Sequence, residues 1–249
     1  MKVSIITVRY NSAATIKDTI DSVVAQNYQD IEYIIIDGKS TDRTIEIINS
    51  YSSKVLKCFS EPDNGLYDAI NKGIKVATGE IVGLVHADDV LASKDVISKV
   101  VDVFIENNCE AIYSDLQYVD KDNLNKVFRD WKAGIYSAGM FLNGWMPPHP
   151  TFYAKRRLFK DLGAYNTSFK ISADYELMLR FVHGNNISIK YIPEVLVKMR
   201  VGGKSNSSII NRAKANLEDR RAWQVNHLKP NFFTLYQKPL SKLIQFLKH

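Results

Sequence analysis

The fold is decided by residues 31–42, which read IEYIIIDGKSTD. The first part of this stretch is an almost unbroken apolar, β-branched run, which predicts a strand buried on both faces. The second part consists of turn and capping residues, and Thr41 or Asp42 can cap a helix whose apolar face is Ile45 and Ile48. A buried strand that turns directly into an amphipathic helix is typical of an α/β protein.

The same alternation continues on both sides of this stretch. Further strands are predicted at 3–8, 55–59 and 80–85, with helices near 16–24, 65–77 and 96–104. This spacing predicts a mostly parallel, Rossmann-like central sheet with helices on both faces. After about residue 110 the predicted elements are short strands at 111–113, 117–119, 126–131, 188–192 and 195–200, and helices at 173–183 and about 206–226.

Composition and charge limit the possible partners. Apolar residues make up 45% and charged residues 24% of 249 residues, as in ordinary soluble globular proteins. Residues 212–249 hold eight Lys or Arg and two acids, so this segment carries the whole net charge of +6. A neutral body argues against a nucleic-acid partner, and a basic tail suits an anionic surface.

The sequence indicates a cytoplasmic location. Its first residues lack the apolar length and the cleavage site of a signal peptide, and no window approaches the roughly 18 apolar residues of a transmembrane helix. Cys58 and Cys109 have no zinc-binding spacing, and we expect two reduced structural thiols.

Polar side chains collect where the predicted strands end. Tyr10 and Asn11 follow the first strand, Asp37 the second, Asp63 the third, and His86 to Asp89 the fourth. Ligands of open parallel sheets bind outside the carboxyl ends of the strands. Each residue taken singly could be a helix cap or a turn, but the four ends together favour a nucleotide site.

The segment His86-Ala87-Asp88-Asp89 predicts a metal site for a diphosphate. Mg²⁺ or Mn²⁺ prefers carboxylate oxygens and neutralises the charge that develops on a diphosphate leaving group. Asp88 is the expected ligand. Asp89 is either a second ligand or the cap of the next helix. His86 either contacts metal or phosphate or is a structural histidine.

Several stretches together resemble a family 2 glycosyltransferase of the GT-A fold, of the bacterial type that builds capsule, O-antigen or colanic-acid-like polysaccharides. They are residues 4–11, 33–42, 60–73, 86–89, 148–152 and 172–175. The resemblance implies a catalytic domain over 1–205, with a nucleotide-binding half at 1–110 and an acceptor-binding half at 111–205. A basic helical extension over 206–249 would follow.

The resemblance also implies roles for single residues. His86, Ala87 and Asp88 would contact the donor, and Asp88 matches the metal contact of an Asp-x-Asp motif whose first Asp is His86 here. The remaining nucleotide-sugar contacts would be Thr7, Tyr10 and Asn11 at the nucleotide, Asp37 at the base or ribose, and Asp63, Asn71 and Lys72 beside the base and pyrophosphate.

Asp174 matches the base that takes the proton of the acceptor hydroxyl. Glu176 is the reserve for this role, and His149 is expected to face the acceptor. The family's acidic pair reads Ala173-Asp174 in this chain, so the carboxylate that usually precedes the base is missing.

The implied activity is inverting, metal-dependent transfer of a hexose from a UDP- or GDP-sugar to a hydroxyl of a saccharide or lipid-linked acceptor, with Mn²⁺ or Mg²⁺ as cofactor. A segment from Pro239 with Leu240, Leu243 and Leu247 on one side would rest on the anionic inner face of the cell membrane. Packing of this segment on the body, or on a second subunit of a homodimer, is the open alternative.

Two other functions remain open. A sugar-1-phosphate nucleotidyltransferase would want a Gly-rich basic loop after the first strand, where this chain has Arg9-Tyr10-Asn11. A catalytically inactive nucleotide-sugar-binding protein is suggested by His86 in place of an Asp.

Overall fold

The computed structural model describes residues 1–51, 56–202, 209–231 and 234. Its strands are β1 (Val3–Arg9), β2 (Ile31–Asp37), β3 (Leu56–Ser60), β4 (Ile81–Leu84), β5 (Asp89–Leu91), β6 (Ala111–Val119), β7 (Val127–Trp131), β8 (Tyr153–Lys155) and β9 (Ile189–Arg200). Its α-helices are α1 (Ile16–Val24), α2 (Thr44–Asn49), α3 (Leu66–Val76), α4 (Val96–Asn107), α5 (Arg157–Asp161), α6 (Ala173–Met178) and α7 (Ile209–Val225).

One nine-stranded sheet runs in the order β3-β2-β1-β4-β8-β6-β9-β5, and β7 pairs with β6. The first four strands of this order are parallel, and Arg9 pairs with Asp37, which in turn pairs with Ser60. Because parallel strands end at the same edge of a sheet, this register brings the polar residues after β1, β2 and β3 together.

Helices cover both faces of the sheet, as the sequence predicts. One apolar core contains Ile6 and Ile36 of the sheet with Ile70 of α3. The other contains Ile5 and Ile35, whose side chains point the opposite way because the strand period is two residues, with residues of α1 and α4. This is the expected GT-A type of α/β fold.

The second half differs in detail from the prediction. β6 is one continuous strand rather than two, and β9 continues through Pro193, where its register with β6 shifts. The short strands β5 and β8 and the helix α5 are absent from the sequence prediction, since elements of three to five residues carry too little periodicity to detect. The predicted helix at 173–183 is α6 followed by a π-helical turn, Leu179–Gly184.

The helix α7 starts the segment that the sequence assigned to an extension at 206–249. Ala222 and Trp223 are fully buried and belong to the same core as α3 and α6. The end of α7 therefore packs on the body of the fold.

Within the described ranges, no helix has the length and apolar character needed to cross a membrane. The amphipathic segment predicted from Pro239 to Leu247 lies outside those ranges.

A buried carboxylate joins the parallel strands near their amino-terminal ends, opposite the strand ends that carry the polar residues. Glu32 of β2 accepts hydrogen bonds from Ser4 Oγ at 2.8 Å, Lys57 Nζ at 2.8 Å and the backbone N–H of Thr78 at 2.8 Å. Burial alone would raise the pKa of Glu32, but these bonds outweigh it and lower the pKa to about 2.

We predict that Glu32→Gln destabilises the fold at pH 7 by about 3 kcal/mol, because folding lowers the pKa of this carboxyl from 4.5 to about 2. A depressed carboxyl pKa stabilises above the unfolded value and loses that effect as pH falls toward the folded value. Urea unfolding should therefore show the difference shrinking by roughly half at pH 3. The exposed Glu46, paired with Arg43, supplies the control Glu46→Gln, with an effect under about 1 kcal/mol. Equal effects of the two substitutions would contradict the assignment.

Candidate functional site

A buried ion pair lies at the carboxyl edge of the sheet. Arg9 Nη2 donates to Asp37 Oδ1 at 2.7 Å, and both side chains are fully buried. Asp37 also accepts from the backbone N–H of Ser40 and from Ser60 Oγ at 2.5 Å. Burial lowers the pKa of Arg9, and the charge of Asp37 opposes that shift. The pair thus ties the ends of β1, β2 and β3 to the loop after β2.

Two predicted nucleotide contacts, Asp37 and Thr7, have buried side chains in this arrangement. The oxygens of Asp37 are occupied by internal donors and closed to solvent, so Asp37 shapes the edge, and its contact with a base or ribose stays a prediction. Thr7 is also fully buried, and its hydroxyl bonds with Val85 O at 2.6 Å and Tyr33 Oη at 3.0 Å. Strand position is readable from sequence, but which face a strand-end residue presents is not.

Tyr10 and Asn11 lie on the exposed rim of the edge. The Tyr10 side chain is 57% exposed. Asn11 has a positive φ of 50°, donates its backbone N–H to Ser40 Oγ at 2.7 Å and accepts from the Thr41 N–H at 2.9 Å. The loops after β1 and β2 are therefore locked together, with the Tyr10 ring available for a ligand.

The Asp63 side chain lies against the loop after β2. A Cβ atom at Gly38 would lie 2.4 Å from Asp63 Oδ2, so only glycine permits this approach. Asp63 Oδ1 accepts the Gly65 N–H at 2.9 Å, which caps the turn into α3. Asp63 is half-buried and lies where the sequence placed it, beside the ends of β1 and β2.

Asn71 and Lys72 have internal partners. The Asn71 side chain exchanges two hydrogen bonds with the backbone of Tyr165, at 2.8 and 2.9 Å. Lys72 Nζ bonds to Pro62 O at 2.6 Å and to Glu61 Oε1 at 3.0 Å. Asn71 thus joins α3 to the second half, and Lys72 holds the loop that carries Asp63; their contact with the base and pyrophosphate stays a prediction.

The segment after β4 carries His86 and Asp88, with Ala87 buried between them. We call the region bordered by His86, Asp88, His149 and Asp174 the cleft. Burial, and then the neighbouring His149, lower the pKa of His86 to about 4. His86 is therefore neutral at pH 7 and can give or accept a hydrogen bond without carrying a charge. Asp88 is half-buried, and Arg200 Nη1 holds its backbone oxygen at 2.9 Å.

Asp89 begins β5, where it pairs with Met199 of β9. Its side chain is buried, and neither carboxyl oxygen has a hydrogen-bond partner among the described residues. Burial and then the charge of Asp88 raise the pKa of Asp89 well above its usual value. The enclosed Asp89 carboxyl is less accessible to a metal than that of Asp88, and whether Asp89 is a second ligand stays a prediction to be tested.

Asp174 lies across the cleft from His86. Asp174 Oδ2 is 3.3 Å from His149 Nδ1, and the rings of His149 and His86 are 5.5 Å apart, edge to face. Tyr67 Oη donates to Ile171 O at 2.6 Å and lies 3.4 Å from Asp174 Oδ1. Burial, followed by the charge of Asp174, raises the pKa of Tyr67, so the phenol stays protonated. The fold thus brings together the segment after β4 and the start of α6, which are far apart in sequence.

Glu176, the reserve for the base, is buried. Its carboxylate is gripped by Arg180 Nε at 2.8 Å and by Asn226 Nδ2 at 3.0 Å. Glu176 therefore joins α6 to the end of α7 and does not reach the cleft.

The residues present fit a divalent metal that arrives with a phosphate ligand. Among the described residues, no three His, Cys, Asp or Glu side chains form a ready-made metal cluster. Mg²⁺ and Mn²⁺ are commonly held by one or two carboxylates, with substrate phosphates and water as the remaining ligands. Asp88 supplies one partly exposed carboxylate beside His86.

Known proteins share this sequence pattern and this fold. A PGL/p-HBAD biosynthesis glycosyltransferase of Mycobacterium bovis is 29% identical over 212 residues, covering 84% of this chain and 80% of the relative. TarS of S. aureus, in complex with UDP-GlcNAc, superposes with a TM-score of 0.72 at 20% identity, covering 99% of this chain and 72% of that one. This chain spans 43% of a longer TarS chain.

The mannosyltransferase PcManGT of Pyrobaculum calidifontis, in complex with GDP-Man and Mn²⁺, superposes with a TM-score of 0.66 at 20% identity, covering 100% of this chain and 76% of that one. The pattern described as Glycosyl transferase family 2 matches residues 4–172. The chain belongs to glycosyl transferase family 2.

Proposed function

We propose that the chain is an inverting glycosyltransferase that moves a hexose from a UDP- or GDP-sugar to a hydroxyl of a saccharide or lipid-linked acceptor in polysaccharide biosynthesis. The observation that carries the proposal is the meeting of Asp174 with the segment His86 to Asp88 across one cleft. A glycosyltransferase needs a base for the acceptor hydroxyl and a site for the diphosphate, separated by about the length of one sugar. Asp174 and the segment His86 to Asp88 would supply these two sites.

The proposed reaction uses Asp174 as its base. Asp174 takes the proton of the acceptor hydroxyl as that oxygen forms a bond to the anomeric carbon. The bond from the anomeric carbon to the diphosphate breaks at the same time, and the nucleoside diphosphate leaves with the electron pair. A single displacement with one base inverts the anomeric configuration. His149 Nδ1, 3.3 Å from Asp174 Oδ2, orients the carboxylate.

The donor is proposed to bind along the edge formed by Tyr10, Asp63 and Asp88. When bound, Mg²⁺ or Mn²⁺ would neutralise charge on the diphosphate, and Asp88 would be its protein ligand. TarS in complex with UDP-GlcNAc, and PcManGT in complex with GDP-Man and Mn²⁺, support this choice of donor and metal class. His86, which is neutral, would act beside the phosphates as a hydrogen-bonding group.

Incubation with a set of UDP- and GDP-sugars, Mn²⁺ and saccharide acceptors tests the proposal. We expect metal-dependent release of UDP or GDP, and NMR of the product should show an inverted anomeric centre. Pyrophosphate release from a nucleoside triphosphate would instead indicate the nucleotidyltransferase. Donor binding without turnover would indicate the inactive binding protein.

We predict that Asp174→Asn lowers kcat by about 10²- to 10⁴-fold and leaves the Kd of the donor within about twofold, because general base catalysis contributes a factor of that size. Steady-state kinetics and calorimetric titration of the donor measure the two quantities. Asp161→Asn, on the exposed end of α5, is the matched control. A near-normal kcat for Asp174→Asn would rule out Asp174 as the base.

We predict that Asp88→Asn raises the Mn²⁺ concentration needed for half-maximal donor binding by at least about tenfold, the least that removal of a metal ligand should cost. Asp89→Asn should leave the Mn²⁺ titration unchanged, because the Asp89 side chain is buried at the start of β5 and is not open to a ligand. Thermal denaturation with and without Mn²⁺ and donor measures both effects. The reverse pattern would assign the metal to Asp89.

A further inference from the structure

The loop that leads into α6 is held by a carboxylate from the C-terminal helix. The backbone N–H groups of Lys170, Ile171 and Ser172 donate to Glu218 of α7, at 2.9, 2.8 and 2.8 Å. Ser172 stands at the position before α6, where a side chain often caps the helix, but its hydroxyl donates to Ala215 O at 3.3 Å. Glu218 therefore fixes the chain path two to four residues before Asp174.

A second contact from α7 holds the residue after Asp174. Trp223 Nε1 donates to Tyr175 Oη at 2.9 Å, and the Trp223 side chain is fully buried. Trp223 also packs edge to face on His183, 5.3 Å away, at the end of the π-helical turn. The start of α6 is thus fastened on both sides of Asp174 by the same helix.

Arg221 of α7 makes a third contact, with the start of the loop that leads into α6. The Arg221 guanidinium lies 4.8 Å from the centre of the Phe169 ring, and Arg221 Nη2 bonds to Ser168 Oγ at 2.9 Å. From Ser168 to Tyr175 the chain is therefore bound to α7 by backbone, side-chain and aromatic contacts.

We propose that Glu218 is a positioning residue for the base: α7 sets where the Asp174 carboxylate stands in the cleft, and Glu218 transmits most of that constraint. The inference rests on the function proposed above. An acid that accepts three successive N–H groups makes charge-assisted hydrogen bonds, which are shorter and stronger than neutral ones. A reacting group displaced by about 1 Å loses about 10²-fold in rate, so a loosened loop should show first in kcat.

The contacts of Glu218 predict an effect on the transfer rate and none on donor binding. Its hydrogen bonds go to residues 170–172 and not to the strand-end residues that would hold the nucleotide. Loss of Glu218 should therefore lower the transfer rate while leaving the donor site intact, a split that general destabilisation of the fold would not produce.

The test uses the full chain with Glu218→Ala, Glu218→Gln and Trp223→Phe. Arg220→Gln, on the exposed side of the same helix, is the control. We expect kcat to fall about 10- to 100-fold in Glu218→Ala, less in Glu218→Gln, which keeps one acceptor oxygen, and to stay within about twofold in the control. The donor Kd should stay within about twofold in all variants, and amide hydrogen exchange should accelerate at 170–172 in the Glu218 variants only.

A folded Glu218→Ala with normal kcat and unchanged amide exchange overturns the inference. Parallel loss of kcat, donor affinity and thermal midpoint also overturns it, since that pattern marks a purely structural contact. If Glu218→Ala does not fold, Glu218→Gln decides by the same measurements. An inactive wild type or an active Asp174→Asn would refute the proposed function itself. When the wild type is active and Asp174→Asn is inactive, the Glu218 variants alone decide whether the positioning role holds.

Discussion

The junction between β4 and β8 makes one sheet out of the two halves of the chain, and the cleft depends on it. The pairing is short, with Ile81 opposite Lys155 and Val82 opposite Ala154. The backbone approaches the Tyr153 ring closely at Gly83, where a Cβ atom would lie 2.2 Å from the ring. Glycine is therefore needed at this position of β4. His86 follows this strand directly, and the chain that carries His149 enters β8, so the junction fixes the distance between the two sides of the cleft.

Electrostatics at the cleft follow from burial more than from the number of charged residues. Burial lowers the pKa of His86 to about 4, which keeps the ring neutral at pH 7, and burial raises the pKa of Asp89 well above its usual value. The Arg9–Asp37 pair is closed off beneath the rim. Of the acidic residues that the sequence places near the cleft, Asp63, Asp88 and Asp174 are left partly exposed, and Asp88 and Asp174 lie on opposite sides of it.

The layered α/β fold and the strand ends could be predicted because buried parallel strands leave a continuous apolar signal. The orientation of single side chains could not. Thr7 and Asp37 lie at the predicted strand ends but face inward, because the strand period decides this and a one-residue shift reverses it. Asp89 is ambiguous in the sequence because β5 is three residues long. Glu218 falls in a segment whose composition indicates only a basic tail, and its partners are backbone N–H groups, which no side-chain pattern reveals.

The match to the family ends at residue 172, whereas Asp174 and the helix that holds it come afterwards. The unit that can be exchanged between relatives is therefore not the matched segment. A chimera joined at residue 172 would pair the loop of one protein with the C-terminal helix of another, and the Glu218 contact would have to be rebuilt by chance. A junction upstream of Ser168 that carries everything through α7 as one block would keep the interlocking surfaces together. Recombination within the family should succeed at the first boundary less often than at the second.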